Sequence, residues 1–374
     1  MNINQLLLKL ANKIQKNSDS LFSVAVEMQE RYLNSFPEPK DDIERSYFQY
    51  KCQMMLLNQA IRVVTEIAAI PMIFFYIFKK KDALEKRSES DTIFFIGDLP
   101  ENIIPRELSE YKPYLVRQKK EFLTSDDLRF VLNIWKRYPF SPMFVLKILL
   151  KIRFYSYEIN SGELKRILTY SEYSYTSSAL TAFCEDKGIE HINVMHGEKL
   201  FYIRDSFFRF SKCFVWSSYY AKLFTQLRAH NNYIAAVPPA LKFTVKSKPA
   251  VNFDFKYYLA GEDEATLLTI YKHLLILSEK YKVCVRPHPR YSDVNWLKKH
   301  FQGIKIESFE KTIEVSILET RNVISLYSTV LTQAFHNGVN VVIDDISDKR
   351  KFSLLKERKY VMLSSQHKLL SDFM

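Results

Sequence analysis

Glycine is scarce in this chain, with only seven among 374 residues, and none of them stands in a GxGxxG or GxxxxGK(S/T) arrangement. A phosphate-cradling loop of either kind needs backbone positions that only glycine occupies without steric cost. An ordinary nicotinamide-dependent dehydrogenase or P-loop ATPase is therefore disfavoured. HExxH, GxSxG and DxD are absent too, so a zinc protease, an α/β-hydrolase and the usual metal-dependent sugar-nucleotide site find no support. The four cysteines, Cys52, Cys184, Cys213 and Cys284, lie among apolar neighbours without CxxC or Cys/His spacing. That pattern argues against a zinc site or a disulfide framework and fits a reducing cytoplasm. The opening MNINQLLLKLANKIQKNSDS lacks the basic start, long apolar centre and small-residue cleavage site of a signal peptide, so no export is expected.

Against these absences stand an apolar fraction of 47% and an aromatic fraction of 14%, which indicate an ordered globule. The length suits two domains, each able to bury a core. Lysine and arginine exceed aspartate and glutamate by 54 to 42, a formal charge of +12 that suits an anionic partner: a phosphorylated small molecule, a nucleic acid or an acidic membrane face. One stretch, IRVVTEIAAIPMIFFYIFKKK at residues 61–81, is strongly apolar. Arg62 and Glu66 shorten its uncharged part below the roughly 20 residues needed to span a bilayer. It reads as a core helix kinked near Pro71, or as a monotopic helix with Lys79, Lys80 and Lys81 at anionic headgroups.

Residues 1–90 read as an amphipathic helical region. From residue 91 the texture changes to short apolar runs alternating with helical patterns, first over 91–245 and again over 246–374, with the polar, lysine-rich stretch 242–252 as linker. Strands alternating with helices of this length indicate parallel sheets covered on both faces. Ligands of such sheets bind beyond the carboxyl ends of the strands. Gly97, Gly197 and Gly261 each follow a strand and mark such loops.

Candidate chemistry falls in these loops. In the second half, RPHPR places Arg286, His288 and Arg290 after a strand, because Pro287 and Pro289 break both helix and ladder there. SLYST places Ser325, Ser328 and Thr329 at another strand end, with Thr329 opening a helix; a hydroxyl-bearing helix start is suited to an anion. Ser328 and Thr329 could equally serve only as a cap. GED at 261–263 offers Glu262 or Asp263 to a ribose or base, or simply an acidic first helical turn. In the first half, NVMHGEKL places His196 after an apolar strand, a position for a general base with near-neutral titration. Glu198 and Lys199 follow it. Glu172 and Ser177, Asp98, and Arg204 with Arg209 are the other charged or hydroxyl groups near strand ends, the arginines being suited to an acidic acceptor or to pairing with Asp205.

These features together resemble GT-B glycosyltransferases: α/β, with two Rossmann-like parallel-sheet domains facing a cleft and an N-terminal helical extension. More narrowly, the chain is similar to bacterial sialyltransferases and polysialyltransferases that use CMP-sugars. Their second domain carries an HP motif and a Ser/Thr pair on the nucleotide phosphate, matched here by Pro287, His288 and Pro289 in RPHPRYSD and by Ser328 and Thr329 in SLYST. The resemblance covers roughly residues 165–345. It implies an inverting, metal-independent transfer without cofactor, with His288, Pro289, Ser328 and Thr329 toward the nucleotide phosphate; Arg286, Glu262 and Ser325, from the neighbouring strand ends, are expected toward the nucleotide as well. Arg204, Arg209, Lys199 and Glu172 are the residues expected toward the acceptor. The Asp/Glu-Asp/Glu-Gly triplet of the sialyltransferases is missing from the first half. MHGEK is instead similar to the His-Gly segment of CDP-glycerol glycerophosphotransferases, which makes His196 the first choice of base, Glu198 the second and Asp98 the third.

The expectation is a cytoplasmic enzyme of bacterial capsule or lipopolysaccharide synthesis, peripheral on the inner face of the membrane. Its partners would be a nucleotide-sugar donor, CMP-sialic acid, and a glycan or lipid-linked glycan acceptor, with no nucleic acid. CDP-glycerol as donor is the second enzyme reading. A basic module binding anionic polymers is the reading from another class, and polymer affinity surviving loss of both His196 and His288 would favour it.

Overall fold

The computed structural model describes residues 20–86, 90–245, 247 and 249–374; the signal-peptide reading of residues 1–19 and the linker lysines Lys246 and Lys248 lie outside them. Contacts divide the chain into two units, Met1–His196 with Phe201–Ala236, and Gly197–Leu200 with Val237–Met374.

In the first unit, helices α1 (Val26–Asn34), α2 (Asp42–Met55) and α3 (Gln59–Phe78) precede the sheet. Its strands are β1 (Thr92–Phe94), β2 (Tyr114–Leu115), β3 (Arg166–Thr169), β4 (Glu190–Val194), β5 (Lys212–Val215) and β6 (Tyr233–Ala235). They run in parallel in the order β2-β1-β3-β4-β5-β6. Helices α4 (Ser125–Arg137), α5 (Pro142–Asn160), α6 (Ser177–Glu185) and α7 (Ser218–Gln226) connect them. Pro139 and Pro142 separate α4 from α5, and Pro142 takes the first helical position, where its missing donor costs nothing. The core gathers Ile93 and Ile167 from the sheet, Ile148 and Ile152 from α5, and Leu180 from α6.

The second unit carries β7 (Phe253–Tyr258), α8 (Glu264–Ser278), β8 (Val283–Arg286), α9 (Val294–His300), β9 (Lys305–Ile306), α10 (Ile313–Leu318) and β10 (Thr320–Ser325). It continues with α11 (Thr329–His336), β11 (Asn340–Ile343), α12 (Lys349–Glu357) and β12 (Lys368–Leu369). Its order is β12-β11-β10-β7-β8-β9, all parallel. Numbered within the unit this is 3-2-1-4-5-6, the doubly wound order, and the direction of winding reverses between β7 and β10. In the first sheet the reversal lies between β1 and β3. The α/β class with two Rossmann-like units is thus the observed one.

Helix α3 departs from the core-helix reading. It runs unbroken through Pro71, and only Ala69 and Ile73 are buried. By length and composition it could cross a bilayer. Its Glu66 carboxylate, however, accepts from Tyr50 Oη and from the Met143 amide, which fastens one side of the helix to the body of the unit. Ile61, Val63, Val64, Ile67, Ile70, Met72, Phe74, Phe75 and Phe78 are left exposed, Phe78 to 82%. The edge strands β2 and β12, two residues each, carried too little pattern to be read from sequence.

Candidate active site

In the second unit the apolar run of β8 ends at Arg286, and Pro287 and Pro289 stiffen the loop that follows. His288 is held from both sides: its amide donates to Ser292 Oγ at 2.8 Å, and its Nδ1 accepts from the Arg290 amide at 3.1 Å. A ring that accepts at Nδ1 carries its proton on Nε2, and burial together with the Arg290 charge lowers its pKa, which keeps the neutral form. Tyr291 stacks on the imidazole with centroids 4.4 Å apart. The same tyrosine lies against Gly261, where an added Cβ would stand 3.9 Å from it, so the loops after β7 and β8 meet.

Glu262 folds back on its own loop and accepts from the Ala260 amide at 2.8 Å. Burial raises its pKa. Asp263 caps α8 by accepting from the Thr266 amide at 2.8 Å. Across the winding reversal, Ser325 donates to Tyr258 O at 2.9 Å and ties β10 to β7. Ser328 caps α11 and Thr329 opens it. The His288 loop, the Glu262 loop and the start of α11 therefore border the carboxyl ends of adjacent strands β8, β7 and β10.

Arg286 is placed differently from the phosphate role expected of it. Its guanidinium donates to Glu307 at 2.6 Å and to Lys311 O at 2.8 Å. It belongs to a buried ionic cluster around Lys256, whose ammonium reaches Glu307 at 2.7 Å and Glu319 at 2.8 Å. Glu198 lies in the short segment that packs with the second unit, where it accepts from Thr332 Oγ1 on α11. Lys199, in the same segment, is buried.

In the first unit three strand ends converge. Asp98 follows β1, Glu172 follows β3 and His196 follows β4. His196 Nδ1 stands 3.9 Å from Oε1 of the fully buried Glu172, and the Tyr170 ring packs edge-on to the imidazole at 4.7 Å. Burial, and after it the Asp98 charge, raise the pKa of Tyr170, so Asp98 acts on the same group. Gly97 turns the β1 loop at φ +58°, and a Cβ there would press on Tyr170 Oη at 3.1 Å, so the position suits glycine. Gln49 and Gln53 of α2 fix the loop from below: Gln49 donates to Glu172 O and Arg204 O, both at 3.0 Å, and Gln53 to Tyr173 O at 2.7 Å. Arg204 pairs with Asp205 at 3.2 Å and lies over the Tyr173 ring.

Arg209 is not brought to this place. It precedes β5, at the amino end of the sheet, and pairs with Asp42 at 2.7 Å and Glu185 at 2.9 Å. Ser177 donates to Ser171 O at the start of α6. Sequence reasoning passed over Tyr170, Tyr173, Gln49 and Gln53; the one available signal was the i, i+4 glutamine pair, which shares a helix face. Among the described residues no three His, Cys, Asp or Glu side chains converge as a metal-ligand set.

No family model matches the chain, and no curated protein matches it in sequence. Among solved structures it resembles a UDP-N-acetylglucosamine 2-epimerase from Rickettsia bellii at 13% identity and TM-score 0.38, over 70% of this chain and 79% of that one. It also resembles the wall teichoic acid polymerase TagF at 10% identity and TM-score 0.40, over 79% of this chain and 82% of that one. A third is the glycotransferase of kitacinnamycin, at 10% identity and TM-score 0.40, over 71% of this chain and 76% of that one. Overlaps this loose carry no functional information, and the chemistry has to be read from the chain's own residues.

Proposed function

We propose that the protein is an inverting glycosyltransferase with a cytidine-nucleotide donor, moving sialic acid from CMP-sialic acid to a glycan acceptor in bacterial capsule or lipopolysaccharide synthesis. The observation that carries this reading is the winding reversal of the second sheet. It gathers the His288 loop, the Gly261–Glu262 loop and the hydroxyl-capped start of α11, where His288 offers an Nε2–H donor and α11 the positive end of its dipole.

In the reaction the acceptor oxygen attacks the anomeric carbon and its proton passes to His196. The bond from that carbon to the CMP oxygen breaks, and its electron pair leaves on the phosphate. His288, Ser328 and Thr329 hold the charge that develops there. Glu172 beside His196 orients the ring and steadies the imidazolium, the part a buried carboxylate plays toward a histidine base.

Transfer of glycerol phosphate from CDP-glycerol is the second reading. The observation favouring it is that the carboxylate beside His196, Glu172, stands on a different strand end, which supports a His-Gly segment rather than an acidic triplet as the base. The test is a thermal shift against CMP, CDP, UDP, GDP and ADP, followed by product analysis with CMP-sialic acid and CDP-glycerol. A shift confined to cytidine nucleotides with a sialylated product supports the first reading, and a glycerophosphate product selects the second. A preference for UDP or GDP overturns both donors, and no shift with any nucleotide moves weight to the polymer-binding module.

The exposed apolar face of α3, with Lys80 and Lys81 exposed just beyond its end, supports a peripheral seat on an anionic leaflet, where lipid-linked acceptors lie.

A further inference from the structure

The loops after β1, β2 and β3 and one face of α5 enclose a cavity of ≈ 120 Å³ in the first unit, at the sheet's winding reversal. This is room for several waters, or for one compact group rather than a whole oligosaccharide. Lys151 of α5 and Lys119 from the loop after β2 line it, together with Tyr170, Tyr173 and Phe154. Lys147 stands one turn before Lys151 on the same helix face, with its ammonium 4.2 Å from the Tyr175 ring centroid. Like charges at this spacing repel. Among the described residues none of the three lysines has a carboxylate partner, whereas most other basic groups near this sheet, Arg117, Lys120 and Arg166 among them, are ion-paired.

Burial brings Lys147 down to about 8, helped by the Arg204 charge, and brings Lys151 down to about 8, helped by Lys119 and Lys147. The fold thus keeps unneutralised positive charge in a partly dry pocket at some cost to itself. A bound anion would remove that cost.

We propose that this cavity is the subsite for an anionic group of the acceptor, a carboxylate or phosphate carried on a sugar ring, held by Lys151 and Lys119, with the faces of Tyr170 and Tyr173 flanking the ring's carbon skeleton. The word acceptor rests on the glycosyltransfer reading; the preference for an anionic sugar does not. The same rings lie against His196, so a sugar seated here has its neighbouring hydroxyls near the candidate base.

The test titrates the full chain with glucuronic acid, glucose 6-phosphate and glucose, the first two separating carboxylate from phosphate. Either anionic sugar should bind and raise the melting temperature, while glucose should not. Lys151→Gln and Lys119→Gln should each weaken that binding at least about tenfold, the size expected for one charged hydrogen bond. His288→Ala should leave it unchanged. Lys151→Gln without ligand should melt higher than the parent, because a desolvated charge is gone. That readout also reports folding, and the exposed Lys119 carries the test if Lys151→Gln does not fold. Binding of glucose equal to glucuronic acid, no binding of either anionic sugar, or unchanged affinity in the lysine variants overturns the subsite. A nucleotide shift lost in His288→Ala concerns the donor half alone, so the two readings fail separately.

Discussion

His191 lies inside β4 and His196 just past its end, and the two imidazoles have different surroundings. His191 is fully buried between Tyr155 Oη at 3.0 Å and Thr181 Oγ1 at 2.8 Å. Burial, with smaller contributions from the Lys151 and Arg209 charges, pushes its pKa down to about 3. The unfolded chain binds this proton from about pH 6.5 downward and the folded chain does not, so stability is full above that pH and falls as pH drops toward 3. The expected slope is about 1.4 kcal/mol per pH unit. Urea unfolding at pH 7 and 5 should show a smaller drop in His191→Gln than in the parent. On the proposed function, His196 and His288 serve chemistry instead. His288→Ala should weaken CMP binding by about 10- to 100-fold, while His196→Ala should lower kcat by about 10²- to 10⁴-fold with donor KM nearly unchanged. Wild-type values in titration calorimetry or in initial rates would remove the respective role. The placement of both histidines just beyond a strand was legible because a histidine after a buried strand is a local pattern. Glu172 beside His196 was not, since it depends on β3 and β4 being neighbours. Arg286 misled for the same reason: its partner Glu307 arrives from beyond β9.

At the scale of elements, caps and breakers read well and packing did not. Ser328 does cap α11, and Gly188, Gly303 and Gly338 follow helix ends in the left-handed conformation, at φ +70°, +81° and +69°. What binds β7, β8 and α10 together is the Lys256 cluster, invisible in a strand pattern that reads FDFKYY. Burial alone would raise the Glu319 carboxyl, yet the Lys256 and Lys311 ammoniums bring it down to about 2. Lys256→Met leaves Glu307 and Glu319 buried without it and should cost about 3–5 kcal/mol in denaturant unfolding. The α3 helix was half legible: its length and apolar character showed, but which side is bare depends on Glu66 reaching Tyr50 and Met143. Replacing Phe75 and Phe78 by glutamate should abolish co-flotation with vesicles containing phosphatidylserine while leaving the melting temperature within a few degrees. Unchanged flotation would remove α3 from membrane contact.

For the whole molecule, alternation along the sequence was enough to expect two parallel-sheet units, because parallel strands need helical crossovers. The order of strands within each sheet was not written there, and order decides which loops share a crevice. The charge of +12 is likewise a property of the entire chain. Vesicle binding should weaken several-fold between 50 mM and 500 mM salt, as the Debye length contracts, and salt-independent binding would leave the apolar face of α3 as the whole attraction. The winding reversals also set a timetable for biosynthesis. The β3-facing edge of β1 waits while the chain from Phe94 to Arg166 is made, and the β10-facing edge of β7 waits from Tyr258 to Thr320. At about 5–20 residues per second, each delay is on the order of several seconds. The strand edges that border the two crevices are therefore the ones most open to a chaperone, or to a wrong partner, while the protein is being born.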